Sequence, residues 1–453
     1  MKKLLLSLAL FSALLLFLPT LASTSFGQKI ALSILSWQSG SRIETGSMRL
    51  SWLGPQAFLR LSISDANIEA SCEQLTAYMP LWRLSHLQGP FTISKGYVRY
   101  RSASCLDASL EQIEASVEKN QFTAKGSTRS SGQRGAFNIT GTLDRFPGDC
   151  SLQGRLTSIP SCLCDQLLKT DQKIEQLLGS SLSLEGSVQA KLGKGIFNIA
   201  LNSSHCQTNI HAEFDGQMLR LNKPLTAHLT LTPALNDLLM RDINPLFLTS
   251  VQANHPITIR LSPEHFTLPY APFHIDSLSI EKGSIDIGQV TLQSGPSLQS
   301  LLDLLNNSRL KNARSLHAWF TPLSFQLQNG TLKTGRLDLL LAHSVHLCTW
   351  GNIHLQNSKL RMYLGLPAST LASSFGISGL NPNYVLKIPV RGTISKPELE
   401  TNSAVAQITA VAASQKLPLP KVGKLFGKIV QGVAELKSDK DVPPAKRPFP
   451  WER

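Results

Sequence analysis

The chain has 453 residues, of which 42% are hydrophobic and only 16% charged, with a formal net charge of +14 at pH 7. This composition excludes an intrinsically disordered chain, and seven cysteines are too few for a disulfide scaffold. After the N-terminus no apolar run reaches the roughly 18 residues that a membrane-spanning helix needs, which excludes a polytopic membrane protein.

Residues 1–28 are predicted to form a signal or anchor segment. Lys2 and Lys3 precede an apolar run over residues 4–18, which is the layout of an export signal. At about 1.5 Å per helical residue the run from 4 to 22 could equally span a bilayer as a retained anchor. Both alternatives place the chain after Ser23 outside the cytoplasm, because the positive end stays inside.

Apolar and polar residues alternate with a period of two over most of residues 29–400. This alternation is typical of antiparallel strands with one apolar face, so the predicted fold class is mainly β. Asn329-Gly330 between two such runs predicts a hairpin turn. The clearest strand candidates are residues 182–192, 225–231, 257–261, 323–327 and 360–364.

Few segments have helical spacing. Residues 166–178 carry a leucine and isoleucine stripe that ends at Gly179, and shorter candidates lie at 71–78, 235–240 and 298–305. These helices are too few to cover the apolar face of a long sheet. Two solutions stay open: two sheets packed face to face, or one long twisted antiparallel sheet bent into an apolar groove.

The C-terminal part differs from the body. Residues 401–437 are predicted to be an amphipathic helical region, which either lies on a membrane surface or docks on the end of the sheet. Residues 438–453 are rich in proline and are predicted to be a disordered tail. The apolar stripe of the amphipathic helix consists of Val422, Leu425, Phe426, Ile429, Val430 and Val433.

Cysteines and histidines give no strong motif. In an oxidising compartment Cys150 is the nearest candidate to pair with Cys162 or Cys164. His343, His346 and Cys348 are the nearest approach to a metal cluster, but His343 falls on the other face of the strand. No catalytic motif is present, so we expect a protein that is not an enzyme and that has no metal or cofactor.

Two segments at opposite ends resemble AsmA-like envelope proteins. Residues 47–54 and 61–68 are similar to the family's opening, a strand, a Trp-x-Gly turn and a second strand. Residues 388–399, in which a Gly-Thr strand runs into a proline, resemble its closing strand pair. The family includes the TamB group and is related to bridge-type lipid carriers. The resemblance implies a periplasmic protein of a double-membrane bacterium, anchored in the inner membrane by its N-terminus.

The resemblance implies a role in phospholipid transport or outer-membrane biogenesis, with phospholipid and membrane as partners and no nucleic acid. The leading hypothesis is that an apolar β groove shields acyl chains from water. A scaffold or chaperone that adds client strands of outer-membrane β-barrel proteins to a sheet edge is the alternative, and a conventional β-sandwich adhesin or enzyme is the third. The candidate groove lining is Ile257, Ile259, Leu261, Ile285, Ile287, Leu323, Phe325, Leu327, Leu386, Ile388 and Val390.

Overall fold

The structure is a computed structural model that divides into two compact units, Met1–Ser204 (unit 1) and His205–Arg453 (unit 2). The residues that it describes are 19–65, 68–81, 90–100, 109–118, 120–130, 133–143, 149–168, 170, 172–240, 243–244, 250–270, 275–293, 299, 302, 305, 313–414 and 442–452.

In the residues that the structure describes, unit 1 has eleven strands, most of them in one long meander, with helices at its start and before its last hairpin. It contains, in chain order, α1 (Ser25–Ser39), β1 (Arg42–Glu44), β2 (Ser47–Arg49), β3 (Gln56–Ser64), β4 (Ile68–Ala77), β5 (Phe91–Tyr100), β6 (Ser109–Glu118), β7 (Gln121–Ser130), β8 (Gln133–Leu143), β9 (Cys150–Pro160), α2 (Ser161–Leu168), α3 (Lys173–Leu178), β10 (Ser181–Lys191) and β11 (Lys194–Ser203).

Each strand from β3 to β10 pairs antiparallel with the next strand along the chain. The short strands β1 and β2 pair with opposite ends of β3. Leu192 and Gly193 both have positive φ, 52° and 75°, which closes the β10–β11 hairpin with a turn that matches strand twist. The unit is therefore a simple meander whose contacts are mostly between sequence neighbours.

Unit 2 is also antiparallel, with helices after β14, β24 and β26. It contains β12 (Cys206–Phe214), β13 (Met218–Leu221), β14 (Leu225–Leu229), α4 (Pro233–Leu235) with a π-helical turn (Asn236–Met240), β15 (Ser250–Ala253), β16 (Ile257–Leu261), β17 (Leu268–Pro269), β18 (Ile280–Asp286), β19 (Gln289–Gln293), β20 (Ser315–Phe320), β21 (Leu323–Gln328), β22 (Thr331–Leu341), β23 (Val345–His354), β24 (Lys359–Pro367), α5 (Ala368–Phe375), β25 (Val385–Thr393), β26 (Lys396–Leu399) and α6 (Thr401–Ser414).

The sheet of unit 2 divides into two branches at β22. The first half of β22 pairs with β21 and its second half pairs with β20, with a register shift between Thr334 and Leu337. The same interruption continues into the neighbouring strands, at Pro322 between β20 and β21 and at Gly288 between β18 and β19. Bulges, prolines and glycines bend strands, so the aligned breaks mark the place where the sheet of unit 2 bends.

Most of the fully buried apolar side chains among the described residues belong to unit 2. Helix α5 packs on β23 and β24, and α6 packs on β25. Ala404, Ile408 and Ala412 of α6 are fully buried. The helices and the bent sheet thus give unit 2 a conventional packed interior.

The prediction of a mainly β, antiparallel fold is confirmed, and the sheet is not closed. The Asn329-Gly330 hairpin is confirmed as well, with φ of 49° and 66° between β21 and β22. The predicted helix at 71–78 is wrong, because residues 71–77 lie in β4, which pairs on both sides with β3 and β5. Residues 166–178 form not one helix but the end of α2 and the whole of α3.

The predicted pairing of Cys150 with Cys162 or Cys164 is wrong. Cys150 and Cys164 have free thiols, while Cys162 forms a disulfide whose partner is outside the described residues. Cys150 begins β9 and Cys162 follows its end. A strand of this length keeps its ends roughly 30 Å apart, whereas a disulfide needs Cα atoms within about 7 Å.

The terminal segments are described only in part. Residues 1–18, which hold most of the predicted signal or anchor run, are outside the described residues, as is the predicted amphipathic stripe from Val422 to Val433. None of the helices described here is long and apolar enough to cross a membrane. Residues 442–452 differ from the expected disordered tail, because they pack on unit 2 and bury Phe449 to 2% exposure.

Candidate functional site

The clearest candidate site is one face of the meander in unit 1, across strands β8 to β11. Along each of these strands apolar and polar residues alternate, and the apolar positions are half-buried while most of the polar ones are exposed. We call this surface the inner face. It consists of Phe137, Ile139, Leu152, Leu156, Leu184, Val188, Phe197, Ile199 and Leu201, together with Gly141, Gly154 and Gly186.

The strand register arranges the inner face in three parallel rows. Directly paired residues stand side by side on one face of a sheet, so each row crosses all four strands. The first row is Phe137, Leu156, Leu184 and Leu201; the middle row is Ile139, Gly154, Gly186 and Ile199; the third row is Gly141, Leu152, Val188 and Phe197. The middle row therefore has no side chains on β9 and β10, and larger residues stand on both sides of it.

Two glycines of the inner face admit no other residue without a backbone shift. A Cβ atom at Gly141 would lie 2.0 Å from the carbonyl oxygen of Ser151, and one at Gly186 would lie 2.1 Å from that of Asn198. The neighbouring backbone therefore approaches the inner side of these strands unusually closely. Glycine in strand interiors marks such close approaches and sharp bends.

The sheet is strongly curved at this place. Cα atoms of β7 and β9, which are separated by β8, approach to within 8 Å, whereas a flat sheet holds such strands roughly 9.6 Å apart. The glycines stand on the inner face, and the side chains of that face are less exposed than those of the outer face. Both observations place the inner face on the concave side.

A pair of helices borders one margin of the inner face. Leu163 of α2 is buried with Ile159 and Leu182, and the first-row residues Phe137, Leu156 and Leu184 pack against this cluster. Asp165, 5% exposed, accepts hydrogen bonds from the Thr170 hydroxyl and from the backbone N–H groups of Ile174 and Glu175. These bonds satisfy free N–H groups at the start of α3 and hold the two helices together.

The outer face of the same strands is polar. Arg155 and Glu185 form a bidentate ion pair there, with two donor–acceptor distances of 2.8 Å, and both side chains are more than half exposed. The sheet thus separates an apolar concave surface from a hydrated convex one, which is the pattern expected of one strand face excluded from water.

The lining residues predicted from the sequence lie in unit 2, in a different environment. Ile259 and Leu261 are half-buried, and the other nine are less than 10% exposed. Ile257, Leu323 and Ile388, for example, have no exposed surface at all. At those nine positions the side chains pack against protein and offer no open apolar surface.

Unit 2 also contains a buried charged cluster beside the end of the chain. The carboxylate of Asp338, 2% exposed, accepts hydrogen bonds from the guanidinium of Arg336 at 2.8 to 3.1 Å and contacts Nε2 of His346 at 2.9 Å. The backbone of Asp338 exchanges hydrogen bonds with Thr321. Asp338 therefore has a full set of partners, as a buried charge requires.

The chain end covers this cluster. Phe449 meets the His346 ring edge-on at 4.9 Å and stacks on Trp451 at 4.8 Å. Arg336 donates a hydrogen bond from Nη1 to the carbonyl oxygen of Pro443 at 3.2 Å. A cavity of about 680 Å³ lies beside the covered cluster, lined in part by Pro382 and Arg447.

The candidate metal residues do not come together. His343 is exposed in the turn after β22, His346 is bound to Asp338, and Cys348 is fully buried. Burial raises the pKa of the Cys348 thiol to about 12, so that it stays protonated at neutral pH and cannot act as a nucleophile. In the part of the chain that the structure describes, no three His, Cys, Asp or Glu side chains are grouped to hold a metal ion.

The inner face of unit 1 is not among the predicted lining residues, although the sequence contains a signal for it. Segments 137–141, 152–156 and 184–188 each carry a glycine at an even spacing from large apolar residues. The period of two puts the glycine on the same face as those residues, which indicates a concave strand face. Asp338 was not predicted as the partner of His346, because the strand register that joins them cannot be read from local spacing.

No known protein family, curated protein or solved structure matches the chain. The resemblance to AsmA-like proteins therefore stays a prediction.

Proposed function

We propose that this protein is a non-enzymatic lipid-binding protein of the bacterial envelope, and that the inner face of unit 1 is a groove that shields phospholipid acyl chains from water. The observation that supports this proposal is the half-exposed state of Phe137, Leu152, Val188 and their neighbours on a concave surface. In a closed core such residues would be fully buried, as they are in unit 2.

The shape of the inner face suits an acyl chain. The middle row has bare backbone at Gly154 and Gly186, with rows of larger apolar residues on both sides. Each methylene group that leaves water for such a surface contributes about 0.8 kcal/mol. All side chains of the inner face are apolar, so none of them would hold an acyl chain at one position by a hydrogen bond. A bound acyl chain could therefore slide along the surface.

The headgroup of a bound phospholipid would lie at the margin of the inner face that is farther from α2 and α3. The first row packs on the helix pair α2–α3, whereas the third row of Gly141, Leu152, Val188 and Phe197 borders the other side. A lipid held between the rows would direct its polar end away from the helices and toward water. Location in the periplasm, and a role in phospholipid transport or outer-membrane biogenesis, belong to the same proposal through the AsmA-like resemblance.

The test compares one residue on each face of the same strand. We expect Ile139→Arg to reduce the phospholipid that copurifies with the full chain several-fold, because a buried cation opposes acyl-chain binding. Thr140→Arg places the same charge on the exposed outer face and should leave the lipid content unchanged. Lipid extraction followed by mass spectrometry measures both.

A second pair, Leu152→Arg and Gln153→Arg on β9, repeats the comparison one strand away. Circular dichroism and thermal melting establish that each variant is folded. Equal lipid content in all four folded variants and the unmodified chain, or no stoichiometric lipid in the unmodified chain, would show that the inner face is not a lipid groove.

A further inference from the structure

Helix α1 exposes an apolar stripe. Phe26, Ile30, Ile34 and Trp37 follow one another at spacings of four, four and three residues, which places them along one side of the helix. Their exposure is 76%, 49%, 57% and 87%. Large apolar side chains are common at surfaces singly, but a continuous row of this kind marks an interaction site.

The opposite side of α1 is attached to the start of the sheet. Gln28 donates a hydrogen bond from its side-chain amide to the carbonyl oxygen of Met48, and the Ser36 hydroxyl accepts one from the N–H of Ile43. The Ser23 hydroxyl accepts a third from the N–H of Leu50. Helix α1 is therefore held against β1 and β2, and its apolar stripe faces away from them.

We propose that the apolar stripe of α1 lies in the interfacial region of a phospholipid bilayer and holds the start of the sheet against the membrane surface. An amphipathic helix binds such a surface through one apolar side buried at the headgroup level. Aromatic residues prefer this depth, and Phe26 and Trp37 stand near the two ends of the stripe.

Two observations favour a membrane as the occupant. The apolar run of residues 4–18, which the sequence predicts to be an export signal or a membrane anchor, ends only a few residues before α1 begins at Ser25. Helix α1 also has no acidic residue and one lysine, Lys29, which is exposed. Anionic headgroups attract such a helix and do not repel it. The inference does not depend on the groove in unit 1.

A photocrosslinking amino acid, p-benzoylphenylalanine, tests the contact in the full chain within the membranes of the producing cells. It replaces Ile30 or Trp37 on the stripe in two variants. In a matched control it replaces Leu35, which is 47% exposed but lies roughly 160° around the helix from Trp37. A variant at Thr140 on the outer face of β8 serves as a second control. All four positions are exposed, so the variants should fold.

We expect phospholipid adducts, identified by mass spectrometry, at positions 30 and 37 and several-fold fewer at 35 and 140. Equal adducts at 30, 35 and 37 would overturn the proposal, as would crosslinks only to a second copy or to another protein. Lipid copurification with Ile139→Arg and Thr140→Arg reports on the groove separately, so the failure of either proposal is distinguishable from that of the other.

Discussion

Asp338 is the central residue of the buried charged cluster in unit 2. Its carboxylate is nearly inaccessible to water and contacts both Arg336 and His346. The side chain of Arg336 is itself only 8% exposed. A buried pair of this kind gains little over apolar packing, but the loss of one partner leaves the other charge without compensation. The exposed pair Arg155–Glu185 has similar distances, but removal of one partner has a smaller effect there, because water solvates the charge that is left.

We therefore expect Asp338→Ala to lower the free energy of unfolding by about 3–5 kcal/mol, because Arg336 stays buried and unpaired. Glu185→Ala should cost no more than about 1 kcal/mol. Urea unfolding monitored by circular dichroism measures both. Similar losses for the two variants would mean that the Arg336 charge finds other compensation when Asp338 is removed.

The strands of unit 1 show how glycine positions shape a whole element. Gly141 on β8 and Gly186 on β10 stand where the neighbouring backbone is too close for a Cβ atom, whereas Gly154 on β9 has its nearest contact at 3.3 Å. All three are on the inner face. The curvature of the sheet therefore depends on two of these glycines far more than on the third.

Gly141→Ala and Gly186→Ala should each destabilise the protein by about 1–3 kcal/mol, because the added methyl group forces the paired strands apart. Gly154→Ala changes the same face by the same group, and we expect a much smaller effect. The midpoint of urea unfolding measures this difference. If Gly154→Ala were as destabilising as the other two, the close approach of the backbone would not be the cause.

The fold of the whole molecule joins distant parts of the sequence at one place in unit 2. The hydrogen bond from Arg336 to Pro443 spans 107 positions, and Phe449 is buried against His346. Val442 packs on the cluster of Cys348, Trp350 and Val385. Residues 442–452 are thus part of the folded unit. The strength of their attachment is measurable from how often this segment detaches from unit 2.

Phe449→Ala should release the chain end. The loss of a buried phenylalanine is worth about 3 kcal/mol, which corresponds to a roughly 100-fold rise in the released population. Tryptic cleavage after the exposed Lys446, measured by mass spectrometry, should accelerate accordingly. Pro444→Ala alters an exposed residue of the same segment and should change the rate little. An unchanged rate in Phe449→Ala would show that the ring does not hold the segment.

Local pattern was sufficient for much of the fold. Alternation predicted β10, β14, β16 and β21 close to their observed bounds, and Asn329-Gly330 predicted its hairpin, because strand faces and tight turns depend on a few adjacent residues. It failed at residues 71–78, where apolar spacing allowed a helix but pairing with β3 and β5 favoured a strand. It also failed for the chain end, whose proline-rich sequence does not reveal the pocket that receives Phe449.

The amino-acid sequence by itself determined that this protein is an antiparallel β protein whose strands are apolar on one face. Only the tertiary structure decided which apolar faces are covered: those of Ile257, Leu323 and Ile388 are closed by the bent sheet and helices of unit 2, and those of Phe137, Leu152 and Val188 stay half-exposed. The physical reason is that alternation is a local property of one strand, whereas burial depends on what a distant part of the chain places against that strand.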